Sequence, residues 1–131
     1  LKKQCGVGGI SGVSSDFRDL IAGMESGNER CKLALDMFNY QTKRFVGAYA
    51  AAMGGLDCIV FTAGIGENTP EVREGVCEGL EFLGVKLDLE KNKAKNNGAI
   101  RDISAEGSRV KVLVIPTNEE LVIARETAEL L

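Results

Sequence analysis

Histidine is absent from this sequence of 131 residues, so no imidazole can serve as an acid, a base or a metal ligand. The four cysteines form no CxxC pair and, without histidine, they complete no zinc set. Free thiols in a reducing cytoplasm are therefore expected, and a disulfide pair is the alternative. Burial is expected at the three cysteines that lie within apolar patterns, Cys31, Cys58 and Cys77.

Long apolar runs and an excess of positive charge are also missing. No run approaches the roughly 20 residues of a membrane span, so no membrane partner is expected. The formal net charge of -3 leaves no basic excess for a nucleic-acid backbone, so no nucleic-acid partner is expected. The opening LKKQCGVGG has no apolar signal core, which argues against secretion, and Leu1 in place of Met suggests a piece of a longer protein.

The composition is that of a globular domain, with 44% hydrophobic and 27% charged residues. The Gly- and Ser-rich residues 1–15 are expected to form a linker or loop. Apolar spacing from Asp16 predicts a helix that ends near Gly27, and a longer helix is predicted over about residues 28–53. The apolar stripe of this longer helix comprises Cys31, Leu35, Phe38, Thr42, Phe45, Tyr49 and Ala52.

Two strand–turn–helix units carry the strongest signals. Residues 57–62 are apolar without alternation, which predicts a strand buried on both faces, as in parallel sheets. VKVLVI at residues 110–115 predicts a second strand. A turn with a carboxylate follows each strand, Glu67 in one and Glu119 in the other, and a helix follows each turn. If the strands are parallel neighbours, both turns lie at the end of the sheet where open α/β proteins bind ligands.

The helix after the first turn is predicted to continue as far as Gly84. Gly75 and Gly79 inside this helix predict close packing on a neighbouring element, because each would otherwise weaken the helix. After it, residues 85–89 have a weak edge-strand pattern. Residues 90–98 are expected to form a solvated polar turn or a short helix.

The end of the chain has a further weak strand signal at residues 101–104. The last helix is predicted to begin with a capping box from Thr117 to Glu120. One face of this helix is apolar and comprises Leu121, Ala124, Ala128 and Leu131.

The segment AGIGEN, residues 63–68, is the first site candidate. Gly64 and Gly66 have no Cβ, so a phosphate can approach the backbone closely, and the positive end of the following helix favours an anion. A P-loop is excluded because the lysine of GxxxxGK[ST] is missing, and Thr69 stands where a Rossmann fingerprint needs its third glycine. A plain βα turn with glycines for steric reasons is the alternative.

Two other positions can take part in such a site. Glu119 can be a Mg²⁺ position reached through water beside bound phosphates, or only a residue favoured by the helix dipole. Phe17 or the Arg18 guanidinium can lie on an adenine ring, with Asp16 bonded to a ribose hydroxyl. The alternative is that Asp16 only caps its helix and that Phe17 belongs to the core.

Three separated segments carry a resemblance to a known family: GISGVSSDFRD, VFTAGIGENTPEVRE and VIPTNEELVIA, in this order. They are similar to the C-terminal part of the acetate kinase (acetokinase) family, and the similarity spans essentially the whole chain. The resemblance implies an α/β fold that is part of an RNase H-like (acetate and sugar kinase/Hsp70/actin) lobe. Residues 1–131 are then a single partial domain, with an incomplete central sheet packed against helices and ATP in the cleft of the whole protein.

The resemblance also implies roles for individual residues. The adenosine-binding segment contains Asp16, Phe17 and Arg18. The second nucleotide-binding segment contains Gly64, Ile65, Gly66, Glu67 and Asn68. Glu119 falls on the Mg²⁺ position, so the implied cofactors are ATP or ADP and Mg²⁺.

The family transfers the γ-phosphoryl group of ATP reversibly to acetate and forms acetyl phosphate. Nucleotide and a short-chain carboxylate are the implied partners of the whole protein, and a homodimer in the cytoplasm is also implied. The acid pocket and the catalytic residues of the family lie upstream of the matched part. No catalytic residue is therefore expected in this chain, and the chain alone is expected to be inactive, because phosphoryl transfer depends on positioning and on cationic stabilisation.

Two alternatives are compatible with the sequence. The first is a propionate kinase or another short-chain acyl kinase of the same family, since the acid pocket is not in this chain. The second is a stand-alone module that binds nucleotide or dimerises without catalysis. Tight binding of MgADP by the chain alone would favour the module.

Overall fold

The computed structural model describes residues 5–95 and 97–130, and the side chain of Glu119 lies outside that description. The described helices are α1 (Gly6–Ser11), α2 (Phe17–Glu25), α3 (Glu29–Met53), α4 (Ala63–Asn68), α5 (Pro70–Cys77), α6 (Leu89–Lys93) and α7 (Glu119–Glu129). The described strands are β1 (Cys58–Phe61), β2 (Arg101–Asp102) and β3 (Lys111–Val114). A short 3₁₀ helix, Glu81–Leu83, lies between α5 and α6.

The strands form one sheet in the order β1-β3-β2. β1 runs parallel to β3 with Phe61 opposite Val114, whereas β2 is antiparallel to β3. The expectation of two parallel neighbouring strands is therefore confirmed. The chain leaves both strands at the same end of the sheet, which we call the rim and which consists of residues 62–69 after β1 and residues 115–119 after β3.

The hydrophobic core is shared by the strands and by helices α2, α3 and α5. Its completely buried apolar side chains are Leu20, Cys31, Val76, Ile103, Val110, Val112 and Val114. Each such side chain contributes roughly 1.5–3 kcal/mol when it leaves water. The core therefore fixes the sheet against the helix pair that carries residues 16–18.

β1 is not buried on both faces, contrary to the expectation from its apolar sequence. Because side chains alternate along a strand, Cys58 and Val60 share one face and Ile59 and Phe61 share the other. Phe61 is buried, but Cys58 is exposed and Val60 is 49% exposed. No described element covers the Cys58 face, so burial was correctly predicted for two of the three cysteines only, Cys31 and Cys77.

The bounds of α2 and α3 agree with the two predicted helices, and local capping sets these bounds. The Asp16 carboxylate accepts from the backbone N–H of Arg18, and the Asn28 side chain accepts from the N–H groups of Arg30 and Cys31. Gly54 ends α3 in the left-handed conformation with φ of 74°.

Residues 1–15 are not only a linker or loop, because α1 lies within them. Val7 packs against the core, and the exposed Arg30 guanidinium donates to the carbonyl of Ile10 at 2.7 and 3.0 Å. These contacts stabilise a helical turn in a sequence whose glycines predict a loop. Residues 1–4 lie outside the described part of the chain.

The apolar stripe of α3 is buried only in its first half. Cys31 and Leu35 are buried, whereas Phe45 and Tyr49 are 60% and 62% exposed. Their rings stack on each other with centroids 6.3 Å apart. The second half of this helix of 25 residues therefore leaves an aromatic surface exposed.

The helix after the first turn is shorter than predicted. α5 ends at Cys77, because Glu78 leaves the helical region with ψ of 130° and Gly79 follows with φ of 77°. The predicted close packing holds at Gly75, where a Cβ would collide with the side-chain amide of Asn39. Residues 85–89 form isolated bridges rather than a strand, and Asn92 in the expected solvated segment is completely buried.

None of the described helices combines the length and the hydropathy that a membrane crossing needs.

Candidate functional site

The segment AGIGEN forms a short helix, α4, and not the predicted open turn. The side-chain amide of Asn68 donates to the carbonyl of Gly64 at 3.0 Å, and the Thr69 N–H donates to the carbonyl of Ile65. A helical segment here means that its backbone N–H groups are not arranged as a phosphate-cradling loop. The anion site in front of the next helix, α5, stays a prediction.

A cleft of about 450 Å³ separates α4 from the start of α2. Its lining comprises Ser15, Asp16, Phe17, Arg18, Gly64, Ile65, Asn68 and Thr69. The fold thus brings the two predicted nucleotide segments to opposite sides of one cavity, although they are far apart in the sequence. Gly66 and Glu67 belong to the second segment but do not line the cleft.

The two glycines of α4 have different surroundings. A Cβ at Gly64 would meet no atom within 4 Å, so this glycine faces open space in the cleft. A Cβ at Gly66 would lie 3.1 Å from the carbonyl carbon of Phe61 and 3.4 Å from its Cα. Gly66 therefore allows α4 to pack on the end of β1, whereas Gly64 leaves room for a ligand.

On the other side of the cleft, Asp16 and Arg18 form a close ion pair. The Arg18 guanidinium donates to the Asp16 carboxylate at 2.6 to 3.2 Å, and this hydrogen bonding lowers the pKa of Asp16 to about 2. The Arg18 side chain is 89% exposed, so the pair forms a flat polar surface that faces water. A bidentate pair of this kind holds the guanidinium plane in one orientation.

Phe17 lies in the core below this surface. It is 9% exposed, and its ring meets that of Phe38 edge to face with centroids 4.8 Å apart. Both groups predicted to stack on a base line the cleft, and Arg18 is the more exposed of the two.

Thr117 connects the two turns of the rim. Its hydroxyl lies 2.9 Å from the backbone N of Ala63, 2.9 Å from the Thr62 hydroxyl and 3.1 Å from a carboxylate oxygen of Glu67. The same oxygen of Glu67 accepts from the Thr117 N–H at 2.8 Å. The expected approach of the two turns is confirmed, and Thr117 is the residue that joins them.

The predicted capping box at the start of α7 is wrong in one respect. Asn118 caps the helix by accepting from the Leu121 N–H at 3.2 Å, because the Thr117 hydroxyl is already engaged with the first turn. Glu119 is the first residue of α7 and so lies on the rim, but its side chain is outside the described residues. The predicted Leu131 contact also lies outside them.

Arg73 is a functional-site neighbour that sequence reasoning missed. Its side chain is 1% exposed and donates to the carbonyls of Gly66 and Glu67 at 2.8 and 3.0 Å. Further bonds go to the side-chain and backbone oxygens of Asn92 at 2.6 and 2.7 Å. Burial, with a smaller contribution from Arg101, lowers the pKa of Arg73 to about 10, so the guanidinium stays charged at neutral pH.

The sequence contains a signal for this buried cation. Arg73 lies three and four residues before Val76 and Cys77, which puts it on the buried face of α5. A charge on an apolar helical face indicates a buried group that needs partners. Arg73 thus fixes the carboxyl-terminal carbonyls of α4, and with them one wall of the cleft.

The donors near the rim suit a hard cation. A carboxylate of Glu67 and the hydroxyl oxygen of Thr62 lie there, and Mg²⁺ prefers oxygen ligands. Across the described residues, no three His, Cys, Asp or Glu side chains come together as a metal-binding group. Mg²⁺ usually keeps several waters and binds through one or two carboxylates plus substrate phosphates, so a rim with few carboxylates fits a metal that arrives with a nucleotide.

Comparison with known proteins gives one consistent family. A sequence model of the Acetokinase family matches residues 1–125. Acetate kinase from Heliobacterium modesticaldum is 60% identical over 131 residues, which are 100% of this chain and 32% of that protein. Among solved structures, acetate kinase from Porphyromonas gingivalis matches with a TM-score of 0.87 at 48% identity, over 96% of this chain and 31% of that chain. A propionate kinase from Francisella tularensis matches with a TM-score of 0.82 at 36% identity, over 94% of this chain and 30% of that chain.

The chain therefore spans 30% to 32% of the length of these three relatives. The structural matches confirm the predicted fold class, an α/β arrangement that is part of an RNase H-like (acetate and sugar kinase/Hsp70/actin) lobe. The described sheet of three strands is a small part of such a lobe. With a family match over residues 1–125, this chain belongs to the acetokinase family.

Proposed function

We propose that this chain is the C-terminal nucleotide-binding segment of an acetate kinase, which transfers the γ-phosphoryl group of ATP reversibly to acetate and forms acetyl phosphate. One observation carries the proposal: the cleft of about 450 Å³ has the segment Asp16–Arg18 on one side and α4 on the other. Two segments that the family resemblance assigns to the nucleotide thus share one cavity. Membership of the acetokinase family supports the reaction.

The residues of the cleft have complementary tasks in this proposal. The Arg18 plane lies against the adenine ring, and the ionised Asp16 carboxylate accepts from a ribose hydroxyl. Gly64 lets the nucleotide approach α4, with Ile65 and Asn68 beside it. Phe17 lines the cleft from the core, whereas Gly66 and Glu67 act behind the cleft wall in the attachment of α4.

Mg²⁺ accompanies the nucleotide and neutralises charge on its phosphate oxygens. We assign Glu119 to the magnesium position because it begins α7 on the rim, next to the turn that carries α4. The next residue in the sequence, Glu120, is exposed, and its replacement provides a matched control.

Replacing Glu119 with glutamine is expected to raise the Mg²⁺ concentration needed for half-maximal activity by about tenfold or more, because a neutral amide is a weaker ligand for a hard cation. Affinity for ADP in the absence of metal should change little. Kinase assays over a Mg²⁺ series, with calorimetry in EDTA, measure both quantities. An equal effect of the Glu120→Gln change would contradict the assignment.

The reaction itself is tested by a hydroxamate trap for acetyl phosphate. The full-length product of the gene that encodes this chain should form acetyl phosphate from MgATP and acetate, whereas the chain of 131 residues should form none. The chain alone is inactive in this proposal because it spans about a third of its relatives and lacks the acid pocket. Appreciable turnover by the isolated chain, or none by the full-length protein, would refute it.

Propionate is the second candidate acceptor, and the match to the Francisella tularensis propionate kinase favours it. The same trap, run with acetate and with propionate, gives kcat/KM for each acid. The larger value identifies the acceptor.

The whole protein is proposed to be a homodimer in the cytoplasm. The exposed aromatic half of α3, with Phe45, Tyr49 and Met53 at 60%, 62% and 69% exposure, supports an association surface. Four free cysteines, two of them exposed, suit a reducing compartment.

A further inference from the structure

The Thr117 hydroxyl uses its whole hydrogen-bonding capacity at the rim. A threonine hydroxyl offers one donor and two acceptor positions. Its proton goes to Glu67, since the carboxylate can only accept, and its lone pairs accept from the Ala63 N–H and from the Thr62 hydroxyl. Every partner belongs to the turn after β1 or to α4, so this single group joins the α7 turn to the α4 segment.

The attachment matters because α7 has little other support among the described residues. All of its described side chains are exposed, and its apolar residues Leu121, Val122 and Ile123 are 42%, 53% and 63% exposed. Packing of an apolar face, which stabilises most helices in proteins, is therefore missing for α7 within the described residues. The bonds of Thr117, two residues before Glu119, therefore set where the first turn of α7 lies.

Ala63, which donates its N–H to the Thr117 hydroxyl, has a strained backbone conformation. Ala63 adopts φ of 57°, a left-handed conformation that costs a non-glycine residue about 1–2 kcal/mol. This residue begins α4, and its N–H donates to Thr117. The bond thus ties the turn before α7 to the strained residue at which α4 begins.

We propose that Thr117 is a positioning residue, which with Glu67 couples the nucleotide-binding segment α4 to the magnesium position at the start of α7. This inference rests on the proposed function, and it gives Glu67 a task different from direct contact with the nucleotide. Through this coupling, the cleft and Glu119 keep a fixed spacing that suits a nucleotide with its metal.

The test compares Thr117→Val with Thr117→Ser in the full-length protein. Valine has the shape of threonine without the hydroxyl, whereas serine keeps every hydrogen bond. The Mg²⁺ concentration for half-maximal activity should rise about tenfold or more in Thr117→Val, as outer-shell changes at metal sites do, and less than about threefold in Thr117→Ser. Calorimetric affinity for ADP in EDTA should stay near the wild-type value in both, which separates mispositioning from unfolding.

A double-mutant cycle tests the coupling directly. If Thr117 acts through Glu67, Thr117→Val should have a much smaller effect in a Glu67→Ala background than in the wild type. Additive effects, or equal behaviour of the valine and serine variants, would overturn the inference while the proposed function stands. Failure of the wild-type full-length protein to bind MgADP or to form acetyl phosphate would overturn both.

Discussion

Replacing Arg73 with methionine is expected to lower the local free energy of unfolding around the cleft by about 3–5 kcal/mol. The guanidinium is buried and is bonded to two carbonyls of α4 and to both oxygens of Asn92. Methionine fills most of the volume, but it removes the donor from all four acceptors, and the two oxygens of Asn92 are in a completely buried residue. Each acceptor left unsatisfied costs about 1–3 kcal/mol.

Native-state hydrogen exchange of the full-length protein measures this loss segment by segment. Amides of α4, α5 and α6 should lose protection, while those of α2 and α3 should change less. Arg30→Met is the matched control, because Arg30 also donates to a backbone carbonyl but is exposed. Arg30→Met should lower the local free energy of unfolding by less than about 1 kcal/mol. Comparable losses in the two variants would contradict the stabilising role of the buried Arg73 hydrogen bonds.

The parts of the fold that depend on neighbouring residues could be predicted from the sequence. The starts of α2 and α3 follow from Asp16 and Asn28, whose side chains bond N–H groups two or three residues ahead. The two parallel strands follow from short apolar runs. These signals are local, so a single sequence is enough to read them.

Burial against distant elements could not be predicted. β1 and the second half of α3 have apolar sequences that indicate covered surfaces, yet Val60, Phe45 and Tyr49 are exposed in the described residues. An apolar pattern shows that a surface tends to be buried, but it does not name the partner. The bonds between Arg73 and Asn92 join residues of different elements, and no spacing rule gives that pairing.

The candidate site was predicted at the level of segments and not of individual atoms. The glycines of residues 63–68, the side chains of residues 16–18 and the family resemblance selected these two segments, and the structure puts both at one cleft. From the sequence, Gly64 and Gly66 are predicted to have the same role, since each lacks a Cβ. Only the fold shows that one faces the cleft and the other faces Phe61. The sequence indicates a helix cap at Thr117, because its partners after β1 are fifty or more residues away in the chain.

Replacing Gly64 with leucine is therefore expected to lower the affinity for ADP by at least about tenfold, or 1.4 kcal/mol. Leucine is a good helix former, and its Cβ at this position meets no protein atom within 4 Å. The local free energy of unfolding should consequently stay within about 1 kcal/mol of the wild-type value. The rest of the side chain projects into the space that the nucleotide is proposed to occupy. Calorimetric titration of the full-length protein with ADP measures the loss.

Gly66→Ala, two residues away, is expected to lower stability rather than affinity for the ligand. A Cβ there presses on the backbone of Phe61, which has no flexible side-chain end to move aside. Overpacking of this kind costs about 1–3 kcal/mol of stability. Gly66→Ala should thus destabilise the protein more than Gly64→Leu, although alanine is the smaller side chain. Only the packing of Gly66 on β1 explains this ranking. If Gly64→Leu leaves the protein folded and its ADP affinity unchanged, the nucleotide does not occupy this cleft.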